Sequence, residues 1–291
     1  MKNIILFLLF LSSGYSTVAQ RYYVRKAIEK NYEKKYNEDK TKGENEVDKS
    51  LDKWDESDKK KRSEIEPFPT MSMTMQIEYP NKPKNNMTME YYFKNYECAS
   101  IFKNEDKNNS MDKTIMNFKE GKSTILMTDK KGKKTGMQME LKNFDWAIKN
   151  SLEKNNKMLE DGDITIKPTD EYKTIEGYKC RKYLYEDLNN TADMWICNSI
   201  GFDYLKYNNA VFSVFGANKS EHNNAYYKAG INGVVIQNHM MPKGGRGNET
   251  ILTMKNIRAN YAPDEMFSTA GYEITKMPSM RDLWNSAKEE D

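Results

Sequence analysis

From Met71 to Tyr79 the sequence Met-Ser-Met-Thr-Met-Gln-Ile-Glu-Tyr sets an apolar side chain at every odd position and a polar one at every even position. Successive side chains of a strand point to opposite faces, so the alternation predicts a strand with one buried face. The pattern returns at Met87-Thr-Met-Glu-Tyr-Tyr-Phe-Lys94, after the turn Pro80-Asn-Lys-Pro83. Strand-like runs follow at 99–102, 114–118, 123–128 and 135–141, the last two joined by the turn Asp129-Lys-Lys-Gly-Lys-Lys134. Phe144, Ile148 and Leu152 then step by four behind the N-cap candidate Asn143, which predicts a helix over 144–160. Further strands are predicted at 164–166, 173–175, 178–185, 194–197, 233–239 and 250–258, and a partly helical, aromatic-dense stretch at 201–215. Antiparallel strands interrupted by helices indicate an α+β fold.

The segments outside this region follow other rules. Ile4 to Leu11 is an apolar run behind Met-Lys-Asn, and small and polar residues lead to Ala19. This is the form of a secretory signal peptide over 1–19, with a core too short to span a bilayer. No cysteine stands at its exit, so the expectation is an exported, soluble protein, periplasmic or secreted, that is not a lipoprotein. Residues 20–69 form a charged arm. Val24, Ile28, Tyr32 and Tyr36 step by four, and Val47, Leu51 and Trp54 by four and three, which predicts two narrow-striped helices broken near Lys42-Gly43. Two readings of residues 21–66 stand, a partner-binding arm and a solvated, partly disordered linker. Pro67-Phe-Pro69 ends the arm and opens the sheet domain, 70–275; the tail 276–291 is charged and frayed.

Net charge +3 over 291 residues gives no field that would gather nucleic acid. The only histidines, His222 and His239, lack metal-ligand spacing to a second His or Cys, and Pro242-Lys-Gly-Gly-Arg-Gly247 lacks the spacing of a phosphate loop and has no helix after it. No acidic residue stands in the apolar context that tunes a catalytic acid. These features predict a non-enzymatic protein without a catalytic residue, resident metal or other cofactor. Nineteen Met residues keep copper(I), a soft ion suited to thioethers, as a minor alternative. Geometry weakens it, since residues two apart on one strand face stand roughly 6.6 Å apart and project side by side.

The better use of the methionines is an apolar face. Met71, Met73 and Met75 share one face of their strand; Met87, Met89, Tyr91 and Phe93 share one face of the next, and Met137 and Met139 one face of a third. Aligned, these nine residues make a soft surface for an apolar ligand such as a lipid or acyl chain, or simply a core under the 144–160 helix. Among the three cysteines, Cys180 and Cys197 flank a hairpin whose turn lies in Asp187-Leu-Asn-Asn-Thr-Ala-Asp193. They read as a disulfide candidate or as two buried thiols; a bridge there would contribute roughly 3 kcal/mol in the chain-entropy model. Cys98 reads as a buried hydrophobe.

The stretch Thr174-Ile-Glu-Gly-Tyr-Lys-Cys-Arg-Lys-Tyr183, followed by Met194-Trp-Ile-Cys197 and closed by Phe267-Ser-Thr-Ala-Gly-Tyr272, resembles a family of exported bacterial proteins known as domain of unknown function 4412. That family is similar to the periplasmic lipoprotein carriers (LolA/LolB-like). The resemblance implies a strongly curved antiparallel sheet, a half-barrel covering helices, with an apolar cavity for acyl chains. It brings no catalytic residue, and fold analogy alone does not give function.

Overall fold

A computed structural model describes residues 44–103, 111–141, 164–201, 226, 229–231, 233–245, 247–279 and 282. The expected leader, the first arm helix, the 144–160 helix, the stretch beyond Gly201 to Phe215 and most of the charged tail lie outside them, as does His222. The second arm helix is α1 (Glu44–Ser63). Twelve strands follow: β1 (Phe68–Glu78), β2 (Met87–Asn95), β3 (Glu97–Lys103), β4 (Met111–Asn117), β5 (Lys122–Thr128), β6 (Lys134–Glu140), β7 (Thr165–Ile175), β8 (Tyr178–Glu186), β9 (Asn190–Cys197), β10 (Val234–Pro242), β11 (Thr250–Ala259) and β12 (Glu273–Lys276). The described residues are thus mostly β, which corrects the α+β expectation. The short runs at 164–166 and 173–175 join into the single strand β7, and β12 adds a strand that the pattern does not predict.

All twelve strands form one open sheet in the order β12-β6-β5-β4-β3-β2-β1-β11-β10-β9-β8-β7. The chain enters at the centre with β1 and meanders outward to β6. It resumes at the far edge with β7 and meanders back until β11 pairs antiparallel with β1, Met75 opposite Met254 and Ile77 opposite Leu252. Between the pairs Ser72–Arg258 and Thr74–Lys255, β11 carries one residue more than β1, a bulge. There Asn256 takes a left-handed φ of 51°, its backbone N–H donates to Glu176 Oε2 at 3.0 Å and its amide to Thr74 Oγ1 at 3.4 Å. Glu176 and Gly177 are the two positive-φ residues of a two-residue hairpin loop between β7 and β8, with Ile175 opposite Tyr178, the mirror-image turn that suits the right-handed twist of its strands. The tip of an edge hairpin is therefore tied to the central bulge.

The last described segment crosses the outer side of the β2–β6 half. Met266, Phe267, Tyr272 and Ile274 pack on Ala99, Ile115 and Leu126, and β12 adds to β6 as the one parallel pair among the described strands. Tyr272 Oη donates to Asp112 Oδ2 at 2.8 Å, Thr128 Oγ1 donates to the same oxygen, and Lys94 pairs with Asp264. At the other end α1 docks through its final turns. Leu51 and Asp58 are buried, Arg62 bonds Asp58 and donates to the Lys119 carbonyl at 2.8 Å, and Ile65 and Phe68 enter the core. The side chains of Val47 and Trp54 lie outside the described residues.

Two local features hold the β8–β10 half. A Cβ on Gly233 would lie 2.4 Å from the Cys197 carbonyl oxygen and 2.7 Å from its carbon, so only glycine lets β10 approach the end of β9. Asp187 caps the β8–β9 turn, accepting the N–H groups of Asn189 (2.7 Å) and Asn190 (2.6 Å) and the hydroxyl of buried Tyr185 (2.7 Å). Burial alone would raise the Asp187 pKa, but these donors outweigh it and hold the carboxyl below its ordinary value. The turn is tighter than the 187–193 span that the composition suggests, since β9 starts at Asn190.

Gly233→Ala is expected to lower stability by about 1–3 kcal/mol, because backbone must move to admit the methyl; urea unfolding measures it. Tyr185→Phe should cost about 1–3 kcal/mol, leaving a buried carboxylate one donor short. A carboxylate with a depressed folded-state pKa stabilises the fold above its unfolded value of about 4, and the contribution is lost as pH falls through the folded value. The deficit of the Tyr185→Phe chain should therefore be full at neutral pH and shrink at about pH 3, read from urea midpoints.

Candidate functional site

The register places all nine candidate residues on one face of the sheet. Met71, Met73, Met75 and Ile77 stand opposite Phe93, Tyr91, Met89 and Met87. From β2 the same face runs to Cys98, Ser100 and Phe102, then to Met116 and Thr114, to Ser123 and Ile125, and to Met139 and Met137. On the other side of β1 it continues through Met254 and Leu252. Period-two alternation in each strand, kept in phase across seven strands, builds this surface.

Seven of the nine fall in one apolar cluster with Ile65, Phe68, Cys98, Met116, Phe118, Leu141 and Met254; six of them are buried there and Met87 is partly buried against it. Met139, with Met137 partly buried, belongs to a neighbouring cluster around Met111 and Ile125; Phe102 packs against both clusters and joins them. Aromatic rings close one end: Phe68 meets Phe93 and Phe118 edge to face at centroid separations of 6.1 and 5.3 Å. Thioether sulfurs also accept hydroxyl hydrogen bonds, Met89 Sδ from Tyr91 at 3.5 Å and Met111 Sδ from Thr114 at 3.8 Å. The face is thus covered by the protein's own residues in this conformation.

Alternation alone does not single out the polar members of this face. Ser100, Thr114 and Ser123 are buried hydroxyls in an otherwise apolar field, and the Ser123 hydroxyl has no hydrogen-bond partner among the described residues. A serine in a strand pattern is ordinary, and only the paired register reveals that Ser123 sits between Met116 and Met139.

Other flagged residues take quieter roles. His239 Nε2 lies 2.5 Å from Glu249 Oε1 across the β10–β11 hairpin. The Pro242–Gly247 loop is a connector: the Lys243 backbone N–H donates to the Asn189 carbonyl at 2.7 Å and its ammonium pairs with Glu186. No group of three or more His, Cys, Asp or Glu that could hold a metal is present among the described residues. Cys98, Cys180 and Cys197 are buried and unbridged in this structure, and Lys173 lies over the Trp195 ring at 4.0 Å while donating to Gln237 Oε1 at 2.6 Å. Burial holds the Lys173 pKa below its ordinary value. No helix among the described residues is long and apolar enough to cross a membrane.

An open, mostly antiparallel sheet with a methionine-lined face and a C-terminal strap defines the kind of protein this is. Residues 70–272 match the family model described as domain of unknown function (DUF4412), and the chain belongs to that family. No curated protein matches it. Among solved structures it is similar to PNGF-II, with TM-score 0.35 and 14% identity over 75% of this chain and 33% of that one, so the chain spans about a third of that protein's length. An uncharacterized conserved protein from Thermus thermophilus gives TM-score 0.38 and 6% identity, covering 78% of this chain and 99% of that one. A LolA superfamily protein from Nitrosomonas europaea gives TM-score 0.28 and 11% identity, covering 74% and 97%. With scores and identities this low, none of these structures assigns a ligand or an activity to this chain.

Truncation of a fully buried thioether on the face tests how tightly it is packed. Met89→Ala is expected to cost about 2–5 kcal/mol, whereas volume-conserving Met89→Leu should cost less than about 1.5 kcal/mol, both read from urea midpoints.

Proposed function

We propose that this chain is an exported, non-enzymatic protein of the cell envelope that binds an apolar ligand, a lipid or acyl chain, against the methionine face of a half-barrel. The observation that carries the reading is the in-phase alignment of Met71, Met73, Met75, Met87, Met89, Tyr91, Phe93, Met137 and Met139 across adjacent strands. Thioethers have low rotational barriers and re-pack around irregular shapes, so a face that is closed without ligand can open to a chain of methylenes. Each methylene removed from water would contribute about 0.8 kcal/mol. The unpartnered Ser123 hydroxyl offers one polar anchor for an amphiphile.

Curvature is supported by two contacts. Neighbouring strands lie about 4.8 Å apart, so in a flat sheet β7 and β10 would be roughly 14 Å apart. Lys173 on β7 nevertheless bonds Gln237 on β10, and Glu176 reaches the β11 bulge. Export rests on the 1–19 leader pattern.

A second reading is a protein-interaction module of the envelope, favoured by the exposed Tyr172, Leu184, Leu188 and Met241 on the β7–β10 half. A role for 21–66 as partner arm is less favoured, because the end of α1 docks on its own domain.

Native mass spectrometry of the gently purified chain should detect bound lipid, and titration with a fluorescent fatty acid should saturate. Absence of both would overturn the ligand reading and leave the interaction module.

A further inference from the structure

The β8–β9 pairing sets Arg181 opposite Ile196, and one residue further the same register sets Cys180 opposite Cys197. Directly opposed residues of an antiparallel pair have Cα atoms about 4.5–5.5 Å apart, inside the range that a disulfide spans. Both side chains are fully buried, and each thiol makes a weak bond to a near neighbour, Cys180 Sγ to the Tyr178 carbonyl at 3.3 Å and Cys197 Sγ with Ser199 Oγ at 3.1 Å. Cys98 is outside that pairing: it lies on β3, opposite Phe93 and Met116, in the same buried cluster as the other two sulfurs.

We infer that Cys180 and Cys197 form a cross-strand disulfide in the mature protein and that Cys98 stays a thiol. The bridge forms by thiol–disulfide exchange with a disulfide-bearing oxidant such as glutathione disulfide. The two thiols lose two protons and two electrons, the S–S bond between Cys180 and Cys197 forms, and the oxidant's S–S bond breaks to give two thiols. Formation belongs to the folding chain. In the folded chain burial, and then the neighbouring Cys197 sulfur, push the Cys180 thiol up to about 11, so thiolate is scarce and exchange is slow. Once made, the bridge is sealed by the same burial and is a structural bond, not a redox switch. It also fixes register, since a slip of one residue between β8 and β9 would carry the sulfurs to opposite faces.

The test refolds the full chain, first reduced and denatured, in a glutathione redox buffer, so its outcome does not depend on export or on lipid binding. Alkylation in denaturant should then label one cysteine per chain, mapped to Cys98, against all three after reduction. Cys98→Ser should leave no labelled thiol before reduction, and Cys180→Ser should leave two. Three labels in the refolded wild-type chain, or Cys98 within the bridge, would overturn the proposal. Dithiothreitol should reduce the bridge more than about tenfold more slowly in the folded chain than in urea, because reduction waits on local opening; equal rates would overturn its placement as a sealed bond.

Discussion

Strand β11 meets β1 across a sequence separation of 182 residues at the Asn256–Thr74 contact, and the two meanders become one sheet only through that pairing. Closing so long a loop costs entropy that no local contact offsets, so the junction must be strongly specified from both sides. It is specified by side chains, with Met75 and Ile77 meeting Met254 and Leu252, and by the bulge, which fixes register at one place. The Glu176 carboxylate on the bulge's exposed N–H satisfies a backbone donor that the interrupted ladder leaves over. Without this seam, the β1–β6 and β7–β11 halves would be two separate sheets, each with two edges.

The two faces of the β2–β6 half are covered by different means. The outer one is closed by a short, tethered strap that places Phe267, Tyr272 and Ile274 on Ala99, Ile115 and Leu126, with an aspartate at the anchor. The methionine face is closed by flexible thioethers and a few rings. Thioethers hold many shapes, so the methionine face is the more adaptable of the two.

Much of the sheet was legible because alternation is local. Met71 to Tyr79 and Met87 to Lys94 announce their strands and also their buried faces. The union of faces was not legible, because phase between strands depends on pairing partners, and β1 finds β11 at a separation that no periodicity crosses. β12 escaped for another reason: Glu-Ile-Thr-Lys has one apolar residue, and its strand character comes from docking beside Gly136, which leaves room for Ile274. The charged run between the two short predictions at 164–166 and 173–175 hid that they are one strand, β7, whose edge position tolerates exposed polar side chains. Ser123 was invisible as a site residue because burial, not identity, makes its hydroxyl unusual.

An open sheet has two edges, and each is a template on which a second chain can add. At one edge this protein sets β7, which carries Pro168, a register break toward Tyr172 and charged side chains on both sides. At the other it lays β12 along β6, four residues long and flanked by Glu273 and Lys276. The strap is therefore also a terminator of sheet growth. A chain shortened before residue 273 would keep its central seam yet present β6 bare, a free edge of seven residues whose successors could be other copies of itself.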